Sequence, residues 1–130
     1  MPLTRISLRA GTTEVYRAAL VSGIYAAMRE TYAVPDGDLF TVIHEHAAAD
    51  FIFSPEYVGI RHSADLVIVQ IIASATRSTA QKRALYAAIA DNLGRGPGVN
   101  PADVIITLVE VSPENWSFGH GLMTYGPSES

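Results

Sequence analysis

At 130 residues the chain suits one domain around one core, and folding a chain of this length buries roughly two thirds of the surface it exposes when unfolded, so no disulfide or metal staple is needed. It has no cysteine, which excludes a disulfide framework, a thiol nucleophile and cysteine-ligated zinc. A net charge of -4, with Lys82 the sole lysine and no basic block, lacks the electrostatic footprint of a nucleic-acid binder.

The chain opens Met1-Pro2. Arg5 and Arg9 interrupt the first residues and no apolar run follows, so a secretory signal is not expected here. No apolar stretch reaches the roughly 20 residues of a membrane span, and a soluble cytoplasmic protein is expected. Two readings of Pro2 stand side by side. Proline fixes φ and lacks an N–H, which fits the first residue of a strand. Removal of Met1 would instead leave Pro2 with a free secondary α-amine, a candidate acid, base or nucleophile.

Residues 3–8 (LTRISL) read as a strand, with Ile6 and Leu8 on one face. Thr12, Thr13 and Glu14 supply N-cap candidates and a first-turn carboxylate. Leu20, Ile24, Ala27 and Met28 then recur as the apolar stripe of a helix, which Val34-Pro35 ends. Leu39–His46 (LFTVIHEH) is a second strand. Asp65–Ser74 (DLVIVQIIAS) is a third, apolar enough to be covered on both faces. Ser78 and Gln81 form a capping box for a second helix carrying Leu85, Ile89 and Leu93, with Gly94 as its C-cap. Val104–Val111 (VIITLVEV) is the last long strand.

The order repeats itself. A single ungapped shift of 65 residues pairs Ala19 with Ala84, Leu20 with Leu85, Val34 with Val99, Asp38 with Asp103 and Glu45 with Glu110. The pattern is therefore β-α-β twice, pseudo-repeats of about 2–60 and 65–125 within one domain spanning 1–130. An α+β fold follows, a four-stranded sheet with two helices on one face. The other face is left bare. Together with 48% hydrophobic residues, it calls for a subunit partner.

Gly94–Gly98 (GRGPG) lacks the lysine of a phosphate loop and follows a helix instead of opening one, so it is a turn. His44 and His46 share a strand face at a spacing that can hold a metal. No third ligand is fixed among His62, His120 and the carboxylates, and cross-strand or surface histidines are the preferred reading. No metal and no cofactor are expected. No Gly-x-Ser-x-Gly elbow is present to support a serine triad.

An amino-terminal proline opening a strand, joined to a duplicated β-α-β unit, resembles the tautomerase superfamily. The closer likeness is to the malonate semialdehyde decarboxylases. It is carried by MPL at the start, VPDGD (34–38), SATRSTAQK (74–82), PADVIITLVE (101–110) and NWSFGHG (115–121). The resemblance implies a homotrimer with Pro2 as catalytic acid or electrostatic catalyst and Asp38 working beside it. It implies that Arg77 binds the substrate carboxylate and that Trp116 and Phe118 wall the pocket. One departure stands out: the decarboxylases carry two arginines flanking one residue, and the first position here is Ala75.

The residues themselves are compatible with these roles. Asp38 would favour a protonated Pro2, whose amine would otherwise titrate near 8. Arg77 lies just ahead of a helix N-terminus, where a guanidinium fork and free N–H groups suit a carboxylate. Trp116 and Phe118 share a face in an extended segment. Taken as residues alone, Asp38 reads first as a turn or strand-start residue, while Arg77 is also open to the reading of a solvated arginine and the aromatic pair to that of a core or interface. Three functions are carried forward: decarboxylation of malonate semialdehyde or a related short 3-oxo acid, tautomerisation or hydration of small 2-oxo acids, and a non-catalytic trimeric binding protein. A chloroacrylate dehalogenase of the cis type is disfavoured, since such enzymes use a histidine in the first helix and 14–33 contains none.

Overall fold

Ile6 and Leu8 on one strand and Val67, Val69, Ile71 and Ala73 on another form the buried face of a sheet, and two helices close over it with Leu20, Ile24, Ala27, Met28, Leu85, Ile89 and Leu93. A computed structural model describes residues 2–127. Its elements are β1 (Leu3–Arg9), α1 (Glu14–Tyr32), β2 (Thr41–His46), β3 (Glu56–Tyr57), β4 (Ile60–Arg61), β5 (Val67–Ser74), α2 (Thr79–Arg95) and β6 (Val104–Val111). The main sheet has the order β2-β1-β5-β6. β1 runs parallel to β2 and β5 parallel to β6, while β1 and β5 pair antiparallel with Ile6 opposite Val69. The apolar stripes read from the sequence are the buried stripes of both helices. Each fully buried leucine or isoleucine contributes about 1.5–3 kcal/mol.

The 65-residue shift holds in three dimensions. α1 starts after Thr13 and α2 after Ser78, each capped by its hydroxyl: Tyr16 N donates to Thr13 Oγ1 at 3.1 Å and Gln81 N to Ser78 Oγ at 3.2 Å. The ion pair Arg17–Glu45 (3.2 Å) recurs as Lys82–Glu110 (2.5 Å). A 3₁₀ turn follows each outer strand, at Ala48–Asp50 and at Pro113–Asn115.

Three sequence expectations need correction. β2 begins at Thr41 and β5 at Val67, because Leu39, Phe40, Asp65 and Leu66 make no ladder pairing. α2 continues through Gly94 to Arg95 and is capped at Gly96, whose N–H reaches Asn92 O at 3.0 Å. β5 is covered on one face only. Its residues alternate between buried and half-buried, and Ile68, Gln70 and Ile72 lie on the open face. The β3–β4 hairpin was not foreseen, since each strand is two residues long and carries no readable period. On the open face Val42 and Val109 remain 43% and 38% exposed. Among the described residues no helix is long and apolar enough to cross a membrane.

Candidate active site

The topology decides which residues can meet. The two parallel pairs run in opposite directions, so β1 and β2 begin at the end of the sheet where β5 and β6 finish. Pro2 precedes β1, Asp38 precedes β2, Arg77 follows β5, and Trp116 and Phe118 follow β6. All five predicted site residues therefore belong to the same end of the sheet.

Pro2 is buried and lines a cleft of about 470 Å³ together with Phe40, Trp116 and Phe118. Thr4 N donates to Phe40 O at 2.9 Å, which fixes the strand entry beside Pro2. The Trp116 and Phe118 rings stack with centroids 5.2 Å apart and planes 17° apart. Phe118 also meets Phe40 at 6.0 Å and Tyr125 edge-on at 5.7 Å. The Trp116 indole N–H donates to Ser74 Oγ at 3.1 Å. Sequence reasoning found the Trp116–Phe118 pair but missed Phe40, Tyr125 and Ser74. Phe40 had been absorbed into a predicted strand, Ser74 into the last position of another, and Tyr125 lies in an aperiodic tail.

Asp38 sits on a turn held from the side. Asp38 N donates to Pro35 O at 3.2 Å, and the Tyr25 hydroxyl accepts from Gly37 N at 3.0 Å while donating to Pro35 O at 3.2 Å. Gly37 adopts φ +83°, a left-handed conformation in which a side chain would be strained. Burial pushes the Asp38 carboxyl above its usual range, against the positive charges of the amino terminus and of Arg77. Its Oδ1 is buried and finds no hydrogen-bond partner among the described residues. A buried, unmet carboxylate oxygen is costly, and such groups are found where a ligand or a proton is to be handled.

The other repeat supplies an internal comparison. Asp103, the counterpart of Asp38, is 4% exposed and fully served, by Ser63 N at 2.7 Å and Ser63 Oγ at 2.5 Å. It borders a larger cavity of about 590 Å³ at the opposite end of the sheet, where Arg9 is already paired with Asp65 at 2.9 Å. That end has the volume but keeps its charges satisfied, whereas the Pro2 end leaves one open.

Arg77 is not a solvated arginine. Its Nη2 donates to Tyr32 O at 3.1 Å and its guanidinium lies 4.8 Å from the centroid of the Tyr32 ring. It is half-buried and close enough to act on Asp38, but it does not line the cleft with Pro2. His44 and His46 stack at 6.5 Å, and His46 stacks in turn on Phe51 at 5.6 Å. Among the described residues no group of three or more His, Asp or Glu side chains is arranged to hold a metal.

Comparison with known proteins then decides the family. A model of the tautomerase enzymes matches residues 38–119, and a second tautomerase model matches residues 2–61. The chain belongs to the tautomerase family. This tautomerase-family chain is 36% identical to the probable tautomerase YusQ of Bacillus subtilis (strain 168), over 93% of its own length and 95% of the relative. It superimposes with a TM-score of 0.88 on malonate semialdehyde decarboxylase, a protein with decarboxylase and hydratase activities, at 29% identity and 95% coverage of both chains. A second malonate semialdehyde decarboxylase, FG41, also gives 0.88, at 32% identity over 95% of this chain and 93% of that one. A fused 4-OT solved as a symmetric trimer gives 0.77 at 25% identity, covering 93% of this chain and 94% of that one.

Proposed function

We propose that this member of the tautomerase family decarboxylates malonate semialdehyde or a related short 3-oxo acid, with Pro2 as a cationic acid. Loss of Met1 frees the Pro2 amine, and the orphan oxygen of Asp38 at that end of the sheet, against the satisfied Asp103 at the other, is the observation that carries the reading. A carboxylate there favours the protonated amine.

In malonate semialdehyde the bond between the carboxylate carbon and the methylene carbon breaks. Its electron pair passes into the adjoining aldehyde as an enolate, and carbon dioxide leaves. The Pro2 ammonium hydrogen-bonds the oxygen on which charge develops, and such preorganised donors are commonly the largest single contribution to a rate. A proton delivered to the methylene carbon from the Pro2 ammonium, which water then reprotonates, completes acetaldehyde. Arg77 draws the carboxylate to this end, and the Trp116–Phe118 wall keeps the departing carbon dioxide in apolar surroundings. The 0.88 superposition on two malonate semialdehyde decarboxylases supports this substrate class.

A second reading, tautomerisation or hydration of small 2-oxo acids, is favoured by the kinship with a probable tautomerase and by Ala75. A single guanidinium serves a monocarboxylate without a second arginine. Incubation of protein beginning at Pro2 with malonate semialdehyde, followed by proton NMR, separates the two. Acetaldehyde is expected; malonate semialdehyde left as its aqueous mixture of aldehyde and hydrate, with turnover of an enolisable 2-oxo acid in a parallel incubation, would favour the second reading. Two further copies are proposed to close the open sheet face, as in the trimeric fused 4-OT.

A further inference from the structure

We infer that Ser74 is a positioning residue: its hydroxyl sets the tilt of the Trp116 indole and so fixes the apolar wall of the cleft that Pro2 lines. Ser74 is the last residue of β5, is 8% exposed, and is paired in the ladder with Val111. It is therefore as rigid as the sheet. Trp116 lies beyond β6 and a 3₁₀ turn, on irregular chain. The segment from Trp116 to Tyr125 is bonded mainly to itself, with Phe118 N donating to Thr124 Oγ1 at 3.1 Å and Thr124 N to Trp116 O at 3.2 Å. Among the described residues the Trp116–Ser74 bond is the one hydrogen bond that ties this segment to the sheet. Phe118 stacks on the indole, so the orientation of both rings depends on that tie.

The repeat shows that the arrangement is not a by-product of the fold. The 65-residue shift places Phe51 where Trp116 stands and Arg9 where Ser74 stands. Phe51 has no ring N–H and packs on His46, and Arg9 is paired with Asp65. The serine–indole bond exists only at the end that carries Pro2.

Trp116 is the sole tryptophan, so one indole cross-peak in a nitrogen–proton NMR spectrum reports on the bond directly. In the wild type this proton is expected to exchange slowly with water. Ser74→Ala should shift the peak, speed its exchange and move tryptophan emission to the red, and Ser74→Thr, which keeps the hydroxyl, should restore all three. Ser74→Cys, of similar size with a weaker acceptor, should fall between and replaces the alanine variant should that fail to fold. The kinetic consequence rests on the function proposed above. KM for malonate semialdehyde should rise about 3- to 10-fold in Ser74→Ala with kcat less affected, the loss of one net hydrogen bond. In a Trp116→Phe background Ser74→Ala should add no further change. An unchanged indole peak in folded Ser74→Ala overturns the inference. So does an altered peak with unaltered KM, which would leave Ser74 a purely structural role. A wild type that turns over only an enolisable 2-oxo acid sinks the decarboxylase reading alone, and the KM comparison is then made with that substrate.

Discussion

Replacing Arg77 by alanine separates two duties that this side chain performs. The first is structural. Its Nη2 meets Tyr32 O at the end of α1, and its guanidinium stacks on the Tyr32 ring at 4.8 Å. A hydrogen bond from a charged donor contributes about 1.5–3 kcal/mol and a cation over an aromatic face about 0.5–1 kcal/mol. Arg77 is half-buried, so water replaces part of both, and a net loss of about 1–2 kcal/mol is expected. For a chain of this length that lowers Tm by about 4–8 °C. The second duty is toward substrate. Losing the Arg77 guanidinium, with Ala75 offering no substitute, should cost about 10²–10³ in kcat/KM. Arg77→Lys should recover part of the activity through charge but not the forked geometry. Circular dichroism melts and steady-state decarboxylation measure the two effects separately. A folded Arg77→Ala protein with wild-type kcat/KM would place the carboxylate subsite elsewhere, and an unchanged Tm would mean the Tyr32 contacts carry no stability.

Three further outcomes follow from the same geometry. One extra residue ahead of Pro2 should reduce turnover at least about 100-fold without altering the circular dichroism spectrum, because it removes the free amine; intact-mass measurement must then find active protein beginning at Pro2. Light scattering should report a homotrimer at micromolar concentration, and a stable monomer there would leave the open sheet face unexplained. Asp38→Asn should raise Tm at neutral pH while lowering activity. Burial pushes the Asp38 carboxyl up, so its ionisation opposes folding above the carboxylate range, and the gain from asparagine should vanish as pH falls through that range.

Much of the fold was legible because its signals are periodic. Leu20, Ile24 and Met28 mark one helix face, and Leu85, Ile89 and Leu93 the other, and a shift of 65 residues relates the halves without a gap. Helix starts were legible from hydroxyl caps, whereas the α2 end was not, since Gly94 and Gly96 are equally eligible and only the observed bond from Gly96 N to Asn92 O decides. The candidate site was read through a resemblance, not through spacing. Its proposed members are spread from Pro2 to Phe118 and share one end of the sheet because the two parallel pairs run in opposite directions. No sequence signal told that Arg77 would lean on Tyr32, that Asp38 would keep an unmet oxygen, or that Ser74 would hold the indole. Those are long-range contacts set by packing, as are the tail contacts of Tyr125.

The charge on Pro2 during turnover is tested most directly by a pH–rate profile taken together with NMR titration of the Pro2 nitrogen. A free α-amine titrates near 8, and the Asp38 carboxylate should hold the Pro2 amine protonated to higher pH. Catalysis by the cation is then lost only on the alkaline side, as pH rises through the Pro2 pKa. Asp38→Asn should move both the nitrogen titration and the alkaline limb toward neutrality. Activity that instead rises with pH through the Pro2 pKa would make proline a base, contradict the decarboxylase mechanism and leave the tautomerase reading in its place.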